Sequence, residues 1–96
     1  MIMIKLLQKI LDRLMLKMGL QYRYIIRFYC SEVNGFGGLK NGVVELYRKE
    51  GRKTTNVFSL NIKGKSDEME ELACVELMSY LINTEKIWNG TNIKAQ

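Results

Sequence analysis

The hydrophobic period of this chain changes once, at Gly19, and that change constrains the fold more than any other feature. Before it, Ile4, Leu7, Leu11, Leu14 and Met18 recur every three or four residues, the spacing of one helix face. Met3, Leu6, Ile10 and Met15 widen that stripe to about half of the cylinder. After Gly19 the period is two: Tyr22, Tyr24, Ile26, Phe28 and Cys30 alternate with Arg23, Ile25, Arg27 and Tyr29. The pattern predicts a helix over 2–18, stopped by Gly19 at the C′ position, and then a strand over 20–33. That strand has an apolar inner face and an arginine-aromatic outer one.

The remaining elements follow from similar signals. Asn34 to Gly42 reads as a flexible connector in which Asn41-Gly42 is a tight-turn pair. Strands are expected over 43–49, with Val44 and Leu46 inward, and over 54–63, with Phe58, Leu60 and Ile62 inward. Glu50-Gly51 turns the chain between them. Ser66, or Asp67 with Glu70 three residues on, caps a helix over 66–83 whose core stripe is Cys74, Leu77, Met78 and Leu81. Residues 84–96 read as a polar tail with Trp88 as its anchor. The expected fold is α+β in the order α-β-β-β-α: a three-stranded antiparallel sheet with both helices on one face, in a single domain over 1–96.

Charge divides the chain. Residues 1–65 hold 13 basic and 4 acidic side chains, whereas residues 66–96 hold 2 and 6, so the net charge of +5 conceals a basic part and an acidic part. The basic part is expected to be helix 1, the sheet and its hairpin tip, and the acidic part the head of helix 2. Two distant cysteines, Cys30 and Cys74, read as small buried hydrophobes on core-facing positions; a disulfide between them is sterically conceivable. Lys5, Lys9, Arg13 and Lys17 interrupt the apolar N-terminus, so neither a secretory segment nor a membrane span is expected, and the default compartment is the cytoplasm.

No histidine is present, which removes the commonest general base and metal ligand. Two distant cysteines do not make a zinc site, and no base is identifiable to activate either as a nucleophile. The glycine-rich segment fails the nucleotide motifs, because Lys40 stands where G-x-G-x-x-G needs its third glycine. No enzyme, cofactor or metal is expected.

What remains is surface. Arg48, Lys49, Arg52 and Lys53 form a cationic hairpin tip suited to phosphates or carboxylates, or simply a solvated turn protecting a sheet edge. Arg23, Arg27 and Tyr29 on the outer strand face interleave cations with apolar groups, as nucleic-acid and protein interfaces both do. Asp67, Glu68 and Glu71 sit where a helix dipole favours negative charge. Helix 2–18 packs in the core, forms a dimer seam, or lies on anionic lipid.

The α-β-β-β-α order over residues 2–82, with Gly64-Lys65-Ser66-Asp67-Glu68-Met69-Glu70-Glu71-Leu72-Ala73-Cys74-Val75, resembles the double-stranded-RNA-binding domain and its G-x-S-K-K-x-A-K-x-x-A-A segment. The family's phosphate-holding lysines fall here on Asp67, Glu68 and Glu71, and its proline/histidine loop falls on Asn34 to Gly42, which has neither residue. The resemblance therefore implies the fold, with RNA binding lost or replaced by protein binding. In size and character the chain is also similar to small phage-encoded inhibitors such as anti-CRISPR proteins.

These readings converge on a non-enzymatic interaction protein that docks on a larger protein or nucleoprotein complex, one that handles nucleic acid, and blocks or tethers it. Its contacts would be Arg23, Arg27, Tyr29, Arg48, Lys49, Arg52 and Lys53, with Asp67, Glu68 and Glu71 as an acidic second surface. A direct RNA- or DNA-binding module is the alternative, and a homodimer through helix 2–18 a third arrangement.

Overall fold

A computed structural model of the chain describes residues 2–32, 39–65 and 68–85. The order is α1 (Ile2–Lys17), β1 (Arg23–Glu32), β2 (Leu39–Glu50), β3 (Lys53–Lys65), α2 (Met69–Tyr80), and a π-helical turn (Leu81–Glu85) that continues α2. The strands form one antiparallel sheet in the order β1-β2-β3. Both helices lie on one of its faces, α1 over β1 and α2 over β2 and β3. The fold is the α-β-β-β-α, α+β arrangement that the change of period implies. Among the described residues no helix is long and apolar enough to cross a membrane.

The core is the meeting of the two periods. Ile4, Leu7, Leu11, Leu14 and Met15 of α1 and Met69, Ala73, Cys74 and Leu77 of α2 bury against Tyr24, Val44 and Leu46 of the sheet. Leu11, Leu46, Leu77 and Leu81 are fully enclosed, and each such side chain contributes roughly 1.5–3 kcal/mol by burial. Phe58, Leu60 and Ile62 of β3 are half-buried against this cluster, on the inward side expected of them. Several positions of the expected apolar faces are not core, Met3, Leu6 and Ile10 at the edge of the α1 stripe among them. Met18, just after α1, and Met78 of α2 are exposed, and so is Cys30 near the end of β1.

Gly19 ends α1 as its sequence predicts. It takes φ +68°, its N–H donates to Leu16 O at 3.1 Å, and the Leu20 N–H donates to Met15 O at 3.2 Å. This is a Schellman stop, closed by Leu20 packing on the core. The start of α1 has no acidic residue of its own. Glu70 of α2 supplies the missing acceptor, its Oε2 receiving the Ile4 N–H at 3.0 Å.

Glu70, expected from sequence to serve the start of its own helix, thus serves the start of α1. The cap position of α2 is Glu68, without a side-chain cap bond, while Ser66 and Asp67 lie outside the described residues. The expected Asn41-Gly42 turn is also corrected. Both residues lie within β2, opposite Ser31 and Cys30, and a Cβ on Gly42 would stand 2.7 Å from Met69 Cε and 3.1 Å from Tyr29 O. Packing of α2 on the sheet takes that glycine for close approach instead of a bend. The Asn34–Gly38 part of the expected connector and the 86–96 part of the tail, Trp88 included, lie outside the described residues.

Gln8 completes the frame. Its Nε2 donates to Tyr24 O at 2.8 Å and to Asp12 Oδ1 at 3.0 Å, and its Oε1 accepts from Ile26 N at 2.8 Å. One side-chain amide thus pairs with the free edge of β1 as a neighbouring strand would, and sets the position of α1 against it.

Candidate binding surface

The register determines which side chains share the face turned away from the helices. With Tyr24, Ile26 and Phe28 inward on β1, the outward set is Arg23, Ile25, Arg27 and Tyr29. Their direct partners on β2 are Lys49, Tyr47, Glu45 and Val43. On β3 the same rows continue through Thr54, Asn56, Ser59 and Asn61, with Lys63 beyond them. No described helix or strand packs on this face. Its centre is half-buried Ile25, Val43 and Tyr47; its margins are cationic and amide-rich.

Two features give the face its character. Arg23 lies directly opposite Lys49; like charges in that relation destabilise a sheet. Arg27 is opposite Glu45, yet its guanidinium sits over the Tyr47 ring at 5.1 Å from the centroid. Tyr29, 52% exposed, extends the aromatic row. The Tyr47 hydroxyl titrates above its ordinary value, through desolvation first and then the neighbouring Glu45 carboxylate. Among the described residues the ion pairs found are those of Arg48; Arg23, Arg27 and Lys49 are exposed.

The β3 side is braced. A bulge at Val57 shifts the register between Leu46 and Tyr47. Across it Asn56 Nδ2 donates to Phe58 O at 3.3 Å, and the Ser59 hydroxyl donates to Asn56 Oδ1 at 3.0 Å. Gly51 and Arg52 form the two-residue loop of the β2-β3 hairpin, with Gly51 at φ +60° as the favoured hairpin turns require. Lys49, Arg52 and Lys53 are exposed there.

Arg48 does not belong to that tip. Alternation from Val44 and Leu46 carries it to the inner face, where Nη2 donates to both Glu85 carboxylate oxygens at 2.8 and 3.0 Å. Its guanidinium lies over the Tyr22 and Tyr24 rings, 5.2 and 5.9 Å from their centroids. The Tyr80 hydroxyl, 3.3 Å from Glu85 Oε1, donates to Val57 O at 3.0 Å. Tyr24 Oη and Arg48 Nε are buried with no hydrogen-bond partner among the described residues. This cluster clamps the end of α2 to the sheet.

The sequence-derived candidates therefore fall in different places. Arg23, Arg27, Tyr29 and Lys49 share the open face, and Arg52 and Lys53 crown its end. Arg48 lies beneath the sheet. Glu68 and Glu71 are exposed on the helical layer, on the opposite side of the molecule, and Asp67 lies outside the described residues. Tyr47, Asn61 and Lys63 belong to the face and were not singled out from sequence, although alternation from inward Val44, Leu46 and Ile62 locates all three. Cys74 is buried in the core, where burial first and then Glu70 push its thiol up, away from nucleophilic use. Comparison with protein-family models, with curated proteins and with solved structures finds no match to this chain.

Proposed function

We propose that this protein is a non-enzymatic binding module that seats a nucleic-acid strand on the open face of its sheet. The observation that carries the reading is the Arg23–Lys49 pair, two like charges placed directly opposite one another on an uncovered face. Such a pair costs folding stability, and an anion lying between the two side chains offsets that cost. Around it, Arg27 over Tyr47 and exposed Tyr29 supply the aromatic and guanidinium planes on which bases stack. Asn56, Asn61 and Thr54 line the same rows with hydrogen-bonding groups. The acidic Glu68 and Glu71 argue against phosphate only where phosphate meets them, and they lie on the other layer.

The test is binding of a labelled single strand and a labelled duplex, of about 20 nucleotides, across a salt series. The logarithm of the binding constant is expected to fall linearly with that of salt concentration. Arg23→Ala with Lys49→Ala should flatten the single-strand slope by about 0.7 per cation removed. Tyr29→Ala should weaken single-strand binding by about 1–3 kcal/mol. Absence of any retardation at ~50 mM salt overturns the reading, since nonspecific binders of this kind are expected in the ~1–100 μM range.

A second reading is favoured by the apolar centre formed by Ile25, Val43 and Tyr47 inside a cationic rim, the anatomy of a protein interface. In it, the same face docks on an acidic groove of a larger nucleic-acid-handling complex and blocks or tethers it. Capture of such a complex by a chain that retards no nucleic acid selects this reading.

A further inference from the structure

The helical layer carries a second surface, unlike the sheet face and opposite to it. Between α1 and α2 runs a groove of about 230 Å³ lined by Met3, Leu6, Leu7, Ile10, Cys74 and Met78, without a polar side chain. Leu6 is 56% exposed, and Met3, Ile10 and Met78 are exposed with it, on helices whose core-facing sides are already filled. Exposed apolar side chains gathered along one groove mark an interaction surface.

The charges at its two ends identify the occupant. α1 and α2 run side by side in the same direction: Ile4 meets Glu70 at their starts, while α1 leads into Tyr22 and Tyr24 at the end where Glu85 follows α2. At the starting end of the groove stands exposed Glu71, with Glu68 close by in sequence. At the finishing end α1 presents exposed Arg13 and Lys17, which continue the helical line of Met3, Leu6 and Ile10. One end of the apolar strip is acidic and the other basic, about 20 Å apart at 1.5 Å per residue.

We propose that this groove is a homodimer interface, with a second copy of the chain seated on it about a twofold axis. A twofold axis through the middle of the groove turns one copy end for end. It lays α1 of one copy antiparallel along α1 of the other, so that Leu6 and Ile10 face their own counterparts and Met78 faces its own, and it brings Glu71 of each copy to the other's Arg13 and Lys17 end. An isologous contact requires such a self-complementary patch. The pairing leaves both sheet faces uncovered and directed away from each other, so a dimer presents two copies of the proposed nucleic-acid surface.

Sedimentation velocity over ~1–200 μM tests the proposal, with circular dichroism confirming that each variant is folded. Wild type is expected to pass from monomer to dimer in that range. Leu6→Glu and Met78→Glu, both at exposed positions, are expected to remain monomeric with unchanged spectra. Glu71→Arg alone, and Arg13→Glu with Lys17→Glu, should each weaken dimerisation roughly tenfold, and all three together should restore it. Wild type that stays monomeric at 200 μM overturns the proposal, as does dimerisation untouched by both glutamates. Loss without recovery in the combined charge variant overturns the twofold arrangement. Cosedimentation of a persistently monomeric chain with anionic vesicles assigns the groove to lipid and likewise overturns it. Arg23→Ala with Lys49→Ala leaves dimerisation unchanged, so failure here and failure of the nucleic-acid reading are told apart.

Discussion

Arg48 and Glu85, 37 residues apart in the chain, are joined by a 2.8 Å ion pair under the π-helical end of α2. The pair removes one arginine from the cationic tip and fastens the last helical turn to β2. Its side chains are 31% and 13% exposed, so part of their charge is shielded from water. Glu85→Gln is expected to cost about 1–3 kcal/mol, less than the full penalty for a deeply buried pair because Arg48 retains some solvent. The loss should appear as a lower midpoint in urea at unchanged slope. A midpoint equal to wild type would show the pair to be energetically idle.

The same geometry separates two arginines by function. Arg27→Ala is expected to weaken nucleic-acid binding several-fold with little change in melting temperature, because its guanidinium lies over Tyr47 on the open face. Arg48→Met is expected to leave binding unchanged. Titrating both variants with one labelled strand distinguishes them, and equal losses would mean that Arg48 is reached by the ligand.

Gln8 makes two bonds to the β1 edge that no apolar residue replaces. Gln8→Leu keeps the bulk of the side chain but leaves Tyr24 O and Ile26 N without it. An expected loss of about 1–3 kcal/mol follows from stranding partly buried backbone groups. Hydrogen exchange at Ile26 should accelerate in the variant more than at Val44 in the central strand.

Alkaline pH should destabilise the fold through Tyr24. Burial first, and then the charge of Glu85, push its pKa up from 10.0 to about 12. The folded state therefore holds the phenol proton more tightly than the unfolded chain does. This contribution is complete below pH 10 and is lost as pH rises through 12, with a size of order 2 kcal/mol after allowance for solvent screening. Tyr80 shifts in the same direction, by burial and then by Glu85. Tyr24→Phe should be at least as stable as wild type at pH 7, since it removes a hydroxyl without a partner among the described residues, and should lose stability less steeply above pH 10. Thermal melts at pH 8, 10 and 11 measure both effects.

Gly42→Ala should be destabilising by about 1–3 kcal/mol through overpacking. The added Cβ meets the fixed Tyr29 carbonyl at 3.1 Å as well as the more adaptable Met69 methyl. Compensation by Met69→Ala would trace the cost to the α2 contact, and undiminished loss in the double variant would trace it to the β1 backbone.

The candidate site was partly legible in this way. Arg23, Arg27 and Tyr29 were placed on the outer face by simple alternation, and Lys49 opposite Arg23 obeys the same rule once register is known. Four cations clustered at a turn read as one knob, whereas alternation from Val44 and Leu46 points Arg48 inward. Asn41-Gly42 reads as a turn from sequence because a turn-forming pair and a close-packing glycine look the same in one dimension.

The element order, the Gly19 stop and the inward faces of the strands are written in local spacing. Each depends on spacing within a few residues, where backbone geometry couples neighbours directly. Which charges find partners and which face solvent depends instead on how the elements pack. Glu70 reaches Ile4 across 66 residues and Glu85 reaches Arg48 across 37, and these contacts turn two apparent surface carboxylates into a helix cap and a clamp. Electrostatic energy depends on distance in space and on exclusion of water, neither of which local periodicity specifies. The cationic aromatic sheet face and the apolar helical groove came to lie on opposite surfaces only when the helices packed on one side.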